Sequence, residues 1–245
     1  MKLKNLNVEA VIFDYGNTLI EFGPEQVTIQ NDALLSTLSE LFGACDEEKF
    51  TTIRRKQIIA PYATEKFIEN DRFTISMELV KELYSVTPND EQIQRMLDTK
   101  YQSFLNTITC PDFVIPLLKK LRKKYRLAFI SNFPCVKSIT DSLRKTGLID
   151  IFESIVVSGD VGVVKPHPLI FRKSLKEINL KPEKCVYIGD NWLADIQGAK
   201  RMNMQAIHTT QYVSYENFES FDGDFLPDAE IAHLNQLEDL LLREI

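Results

Sequence analysis

Basic charge, histidine and paired cysteine are all scarce in this chain. Its 29 lysines and arginines face 35 aspartates and glutamates, a formal net charge of −6. A nucleic-acid binder shows a basic face, so that class is set aside. An anionic small molecule is not excluded, because a metal ion and one lysine can reverse the local field. The histidines, His167, His208 and His233, are too scattered for a metal triad and read as structural. Cys45, Cys110, Cys135 and Cys185 form no Cys-x-x-Cys pair, which argues against a zinc pattern and a dense disulfide framework and for reduced thiols in an intracellular protein. Nine glycines and ten prolines are too few for a fibrous or disordered chain. No apolar run is long enough to span a bilayer. Lys2 and Lys4 precede a hydrophobic stretch, but Asn5, Asn7 and Glu9 interrupt it and Asp14 ends it too early for a leader. Repeats and low-complexity tracts are absent. The expectation is a soluble, cytoplasmic protein with no nucleic-acid or membrane partner; nothing bears on its oligomeric state.

What is present is enough for a core: 245 residues, 44% of them hydrophobic, suit one large domain or one domain carrying an insertion. The organising stretch is Val11-Ile12-Phe13-Asp14-Tyr15-Gly16-Asn17-Thr18-Leu19. A short apolar run stops at a carboxylate and then at turn residues, as a buried strand would. Asp14 then stands at the carboxyl end of that strand, where open parallel sheets place ligands. It is a nucleophile, a metal ligand, or a polar cap on the strand.

Between residues 21 and 110 strand-like runs vanish and amphipathic patterns take over. Helices are expected at 31–42, 47–59, 76–84 and 90–106, with Leu34, Leu35, Leu38 and Leu41 on one stripe and Asn89 or Asp90 capping the last. From residue 111 strands and helices alternate: helix 114–124, strand 127–130, helix 136–146, strand 154–157, helix 168–178, strand 185–188, helix 193–202, strand 205–208. A Leu-rich helix is expected from about residue 235. Such repeated units call for a parallel sheet with helices on both faces.

Each later strand is followed by polar landmarks: Ser131-Asn132, then Ser158-Gly159-Asp160 and Lys165-Pro166, then Gly189-Asp190 with Asp195 beyond. In a parallel sheet these converge on the edge that carries Asp14. Asp14 and Asp190 brought together would repel, and a hard cation such as Mg²⁺ relieves the repulsion. Lys165 supplies a point charge for a phosphate, and Ser131 and Asn132 sit at a helix start where anions are favoured. Plainer readings stand beside these: Ser131, Asn132 and Asp195 as helix caps, and Lys165 as a solvated loop lysine. Trp192 either rims a site or packs. Pro61-Tyr62 and Phe67 either face a substrate or belong to the helical core. Arg54-Arg55-Lys56 reads as a wet helix face, with a substrate-anion role as the alternative.

The ordered set Asp14-x-x-x-Thr18, Ser131-Asn132, Lys165-Pro166 and Gly189-Asp190-x-x-x-x-Asp195 resembles the four motifs of the haloacid dehalogenase-like hydrolase superfamily, over nearly the entire chain. The resemblance implies a Rossmann-like α/β sheet ordered 5-4-1-2-3, formed by residues 1–20 and 111–245, and an all-helical C1 cap at 21–110. It further implies Mg²⁺, with Asp14 as nucleophile and metal ligand through an aspartyl-phosphate. The backbone carbonyl of Gly16 and the Asp190 carboxylate would complete the metal ligands, and Asp195 would support them from behind. Ser131 and Lys165 would hold the phosphoryl group, with Asn132 beside them and Thr18 orienting the first loop.

Dehalogenases of the superfamily resemble Ser-Ser-Asn at the fourth motif and generally need no Mg²⁺, so Asp190 and Asp195 favour a phosphatase acting on a small phosphorylated metabolite. One position departs from the pattern. Most phosphatases of the superfamily carry an aspartate two residues after the nucleophile, which protonates the leaving alkoxide; here Gly16 stands there. General acid–base catalysis contributes about 10²–10⁴-fold, so its loss calls for a good leaving group, a carboxylate or water from the cap, or a slow enzyme. Tyr15 is no obvious substitute, since adjacent side chains in extended backbone point apart. The rival expectations are a hydrolytic dehalogenase, whose leaving halide needs no proton, and a non-catalytic phospho-ligand-binding protein.

Overall fold

The computed structural model describes residues 8–212 and 225–242. The apolar run forms β1 (Ala10–Phe13), buried throughout. It lies inside a sheet with β2 (Arg126–Ser131), β3 (Ser154–Val157), β4 (Cys185–Gly189), β5 (Gln205–Thr209) and β6 (Ala229–Ile231). All pairings are parallel, in the order β3-β2-β1-β4-β5-β6. The implied order 5-4-1-2-3 is therefore present, and β6 extends it at the β5 edge, where Ile207 faces Ala229. β6 is not expected from the sequence, because three residues with Glu230 exposed carry too little alternation to signal a strand. Phe13 is in register with Phe129 and Ile188, so the residues that follow β1, β2 and β4 leave the sheet at one edge.

Successive residues of a strand point to opposite faces. On β1, Val11 and Phe13 join one apolar cluster, with Leu127 and Phe129, while Ala10 and Ile12 join another, with Ile130 and Tyr187. Helices seal both faces, which is why β1 tolerates no polar residue before Asp14.

Between β1 and β2 run α1 (Pro24–Phe42), α2 (Glu47–Ile59), α3 (Arg72–Tyr84) and α4 (Asp90–Thr107). They enclose their own cluster of Leu34, Leu38, Phe50, Ile53, Leu79, Val80 and Met96. α1 starts two turns before the expected residue 31. Its opening turns carry no apolar stripe, yet Pro24 stands at the first helical position, which needs no N–H donor, and Gln26 accepts from the Gly23 N–H at 2.9 Å. Asp71 caps α3 by accepting from the Thr74 N–H at 2.8 Å, which likewise moves that start forward.

α5 (Val114–Leu121) leads into β2, and after β2 come α6 (Val136–Lys145), α7 (Ser158–Val161), α8 (Pro168–Glu177) and α9 (Gly198–Arg201). The helix expected at 193–202 is split: Trp192–Gln197 forms a π-helical turn and only the remainder is α9. The tail helix expected from residue 235 includes the turn Glu238–Leu242, with Leu241 in the core; its last residues, like Lys2 and Lys4, lie outside the described residues. Among the described residues no helix is long and apolar enough to cross a membrane.

Candidate functional site

The sheet edge after β1, β2 and β4 opens into a cavity of about 380 Å³, lined by Asp14, Ser131, Lys165, Asp190 and Asp195 from the strand ends, with helices α2–α4 forming further wall. At its floor sits Lys165, 2% exposed and so no solvated loop lysine. Its Nζ donates to Asp14 Oδ1 at 2.6 Å, Asp195 Oδ1 at 2.7 Å, the Tyr187 hydroxyl at 2.9 Å and the Ile130 carbonyl at 3.2 Å. Burial lowers a lysine's pKa, but the facing carboxylates of Asp14 and Asp195 more than reverse this and hold Lys165 above its usual range.

Asp14 leaves β1 with its N–H on the Ile188 carbonyl, and its second oxygen accepts from Thr18 Oγ1 at 3.4 Å. Burial pushes its carboxyl up to about 6, with Lys165 opposing and Asp195 adding to the rise. Asp195 is brought back to the strand end by the π-helical turn: Asn191 Oδ1 accepts from the Ala194 N–H, and Asp195 Oδ2 accepts from the Asn191 N–H at 3.0 Å. The carboxylate lies over Gly189, where a Cβ would collide with it; only glycine permits that approach. Such π turns are often found at functional sites.

Oxygens of Asp14, Asp190 and Asp195 lie within 4.8 Å of one another, and all three residues are buried. Lys165 bridges Asp14 and Asp195, leaving Asp190 with no ion-pair partner among the described residues. Burial, then the charges of Asp14 and Asp195, push the Asp190 carboxyl well above its ordinary range. An all-oxygen donor set with surplus negative charge suits a hard divalent cation. The Asp190 carbonyl accepts from His208 Nε2 at 2.9 Å, and His208 Nδ1 lies 3.0 Å from Glu230 on β6. Among the histidines, His208 thus braces this loop while His167 caps α8.

The remaining expected residues separate. Ser131 ends β2 and lines the cavity. Asn132 does so too, but its amide is occupied: Oδ1 accepts from the Lys165 N–H, and Nδ2 donates to the Lys165 carbonyl and the Tyr62 hydroxyl. Gly16 lines the cavity. Tyr15 turns into the core, its hydroxyl donating to Ser142 Oγ at 3.0 Å. Trp192 packs edge-on against His208, and Phe67 packs against Tyr62.

Some residues around the site carry no signal in the sequence, and others stay undecided there. Tyr187 is indistinguishable from any core strand residue until Lys165 is seen against its hydroxyl. Tyr62 and Glu69 reach the strand ends from between α2 and α3. The Glu69 N–H donates to the Gly162 carbonyl at 3.0 Å, its carboxylate accepts from Ser158 Oγ, and Ile68 bridges Val163. Burial raises the Glu69 carboxyl and pushes the Tyr62 hydroxyl up to about 12.

The profile of the family described as "Haloacid dehalogenase-like hydrolase" matches residues 11–209. A protein named glyceraldehyde 3-phosphate phosphatase from Pyrococcus furiosus is 31% identical over 185 residues, 69% of this chain and 75% of its own length. A second of that name, from Methanopyrus kandleri, is 34% identical over 132 residues, 54% of this chain and 55% of its own length, so the match spans little more than half of that relative. Among solved structures, a 2-haloacid dehalogenase from Pseudomonas syringae superposes with a TM-score of 0.72 at 26% identity, over 96% of this chain and 99% of its own.

Proposed function

Since this chain belongs to the haloacid dehalogenase-like hydrolases, we propose that it hydrolyses a small phosphate monoester with Mg²⁺, through attack of Asp14 on phosphorus. The observation that carries this reading is the group of three buried carboxylates served by one lysine, Asp14, Asp190 and Asp195 around Lys165. The relatives named as phosphatases support it. Asp14, Asp190 and the Gly16 carbonyl would hold Mg²⁺, with Asp195 behind them, and the ion would neutralise phosphoryl oxygens during transfer.

The chain's own residues do the rest. Lys165 keeps Asp14 ionised and fixes one carboxylate oxygen, while Thr18 holds the other. The cationic Nζ also offers a preorganised charge to the phosphoryl group, which Ser131 meets with its hydroxyl at the end of β2. Attack forms an Asp14–phosphorus bond as the bond from phosphorus to the leaving oxygen breaks; water then cleaves the acyl phosphate and restores Asp14. Asn132 is a positioning residue in this scheme, because it acts on Lys165. Residues 21–110 serve as a cap over the site, a reading supported by Tyr62 and Glu69 reaching the strand ends from the helical side. With Gly16 in place of an acid, esters whose leaving group departs without a proton are the better substrates.

The likeness to a 2-haloacid dehalogenase favours a second reading, halide displacement by the same Asp14. Asp190 and Asp195 weigh against it, since a halide needs no cation. The test is a panel of small phosphate esters with Mg²⁺, beside 2-chloropropionate without metal, on the wild type and Asp14→Asn. Ester hydrolysis lost in Asp14→Asn is the expected result. Equal hydrolysis by both proteins overturns the reading, metal-free halide release replaces it with the second, and ligand binding without turnover of either replaces it with a binding protein.

A further inference from the structure

Beside the nucleophile, Gly16 brings no proton, and an aromatic wall stands next to it. A Cβ added to Gly16 would lie 3.3 Å from the Cβ of Phe22. Asn17, in the left-handed region at φ 55°, turns the chain back, and its Oδ1 accepts from the Phe22 N–H at 3.0 Å. Phe133, two residues past Ser131, is also fixed through its main chain, its N–H donating to Ser158 Oγ at 2.7 Å. Phe104 of α4 lies behind both rings, its centroid 5.7 Å from that of Phe22 and 4.6 Å from that of Phe133.

All three rings line the cavity, but they differ in burial. Phe104 is 2% exposed and belongs to the core, whereas Phe22 and Phe133 are only partly buried. Ile20, Val27, Leu97 and Ile139 continue the apolar lining. The phosphoryl chemistry at the strand ends uses none of these side chains. Main-chain anchors hold the two outer rings on the segments that carry Asp14 and Ser131, so hydrocarbon surface begins beside the reacting end of the cavity.

Two requirements on the leaving group meet here. Without an acid at Gly16 it departs as an anion, and beside Phe22 and Phe133 it is apolar close to the ester oxygen. An alkoxide fails the first, because its parent alcohol holds a proton about as tightly as water does, with a pKa of about 15.7. A phenolic oxygen, with a pKa of about 10, leaves far more readily as the anion. Its flat ring also packs offset or edge-on against other rings.

We propose that the preferred substrate is an aryl phosphate monoester, its ring bound against Phe22 and Phe133 and its phenolic oxygen joined directly to phosphorus. This rests on the phosphatase reading above for turnover, but not for binding. Attack forms the Asp14–phosphorus bond and breaks the bond from phosphorus to the aryl oxygen, which leaves with the electron pair as a phenolate and takes its proton from water. The relatives' names do not contain this class.

The test sets phenyl phosphate beside benzyl and ethyl phosphate, on the full chain with Mg²⁺. Phenyl phosphate should exceed ethyl phosphate in kcat/KM by about a hundredfold or more, the size of the missing acid's contribution. Benzyl phosphate keeps the ring but leaves as an alkoxide, and it should turn over more slowly than phenyl phosphate by a similar factor. Calorimetry with phenyl-, cyclohexyl- and ethylphosphonate, which cannot be hydrolysed, reads the wall without turnover. Phenylphosphonate should bind about ten- to a hundredfold more tightly than ethylphosphonate, as expected for burying a ring, and more tightly than the cyclohexyl compound. In Phe22→Leu, and separately in Phe133→Leu, the phenyl-to-ethyl binding ratio should fall by about three- to tenfold. If no ester is hydrolysed but phenylphosphonate keeps its preference, the phosphatase reading fails and the aromatic subsite stands. Phenylphosphonate binding no more tightly than cyclohexylphosphonate, benzyl phosphate turning over as fast as phenyl phosphate, or a preference unchanged by both substitutions overturns the proposal.

Discussion

The side-chain amide of Asn132 brackets Lys165, accepting from its N–H at 2.7 Å and donating to its carbonyl at 3.1 Å. The same Nδ2 meets the Tyr62 hydroxyl at 3.0 Å. A residue that sequence alone places beside a phosphate is thus committed to holding the lysine. Asn132→Ala strands buried donor and acceptor groups of the Lys165 backbone. It should cost about 1–3 kcal/mol in urea unfolding and lower kcat by more than about tenfold. Unchanged turnover at reduced stability would show that Lys165 keeps its place without the bracket.

Lys165→Met leaves Asp14 and Asp195 buried without their shared cation. Breaking a buried pair from one side costs on the order of 3–5 kcal/mol. Unfolding should show a loss of that order without metal and a smaller one with Mg²⁺, which takes over part of the neutralisation. A loss that is equal in both conditions argues against a cation among these carboxylates.

Mg²⁺ binding to the folded chain should raise Tm, since a ligand at about a hundred times its Kd stabilises by roughly 2.7 kcal/mol. Asp190→Asn should lose that shift while gaining intrinsic stability, because the carboxylate it removes is buried and repelled by Asp14 and Asp195. Thermal unfolding with Mg²⁺ and with a chelator checks both. A full Mg²⁺ shift retained by Asp190→Asn would remove this residue from the metal site.

Gly16 is where an acid is missing, and a Cβ there would stand 3.3 Å from the Cβ of Phe22, tighter than ordinary contact. Gly16→Asp should speed alkyl phosphate hydrolysis by about 10²-fold or more if its carboxyl reaches the leaving oxygen. Crowding should cost about 1–3 kcal/mol of stability. Gly16→Ala should show the cost without the gain. No gain from a folded Gly16→Asp locates the proton donor elsewhere.

Glu69 has its carboxyl raised by burial, so its pKa is higher folded than unfolded. Its contribution to stability is then full below the ordinary value of 4.5 and is lost as pH rises through the folded pKa. Glu69→Gln keeps an acceptor for Ser158 Oγ and removes the titration. The Tm of the wild type relative to this variant should therefore fall as pH rises above about 4.5. A difference that is flat with pH would mean that Glu69 does not titrate differently on folding.

The strand ends were legible because their signals are local. A buried run stopped by Asp14, another by Ser131 and another by Gly189-Asp190 each announce a strand terminus. A parallel sheet sends such termini to one edge, so convergence followed from chain order. Gly16 and the acidic form of the last motif are equally readable, as residue identities at motif positions. Partnership is another matter. Lys165 and Asp14 are 151 residues apart, and periodicity assigns a side chain to a face without saying what faces it. Arg54-Arg55-Lys56 shows the limit: a helix turns through about 100° per residue, so Arg54 lines the cavity while its two neighbours remain in solvent. Chain order and residue identity therefore settled the strand edge and its motif chemistry. Packing between distant segments decided that Asn132 serves Lys165, that Tyr187 sits against the ammonium group, and that Phe22 and Phe133 wall one cavity, because those relations exist only once long loops have closed.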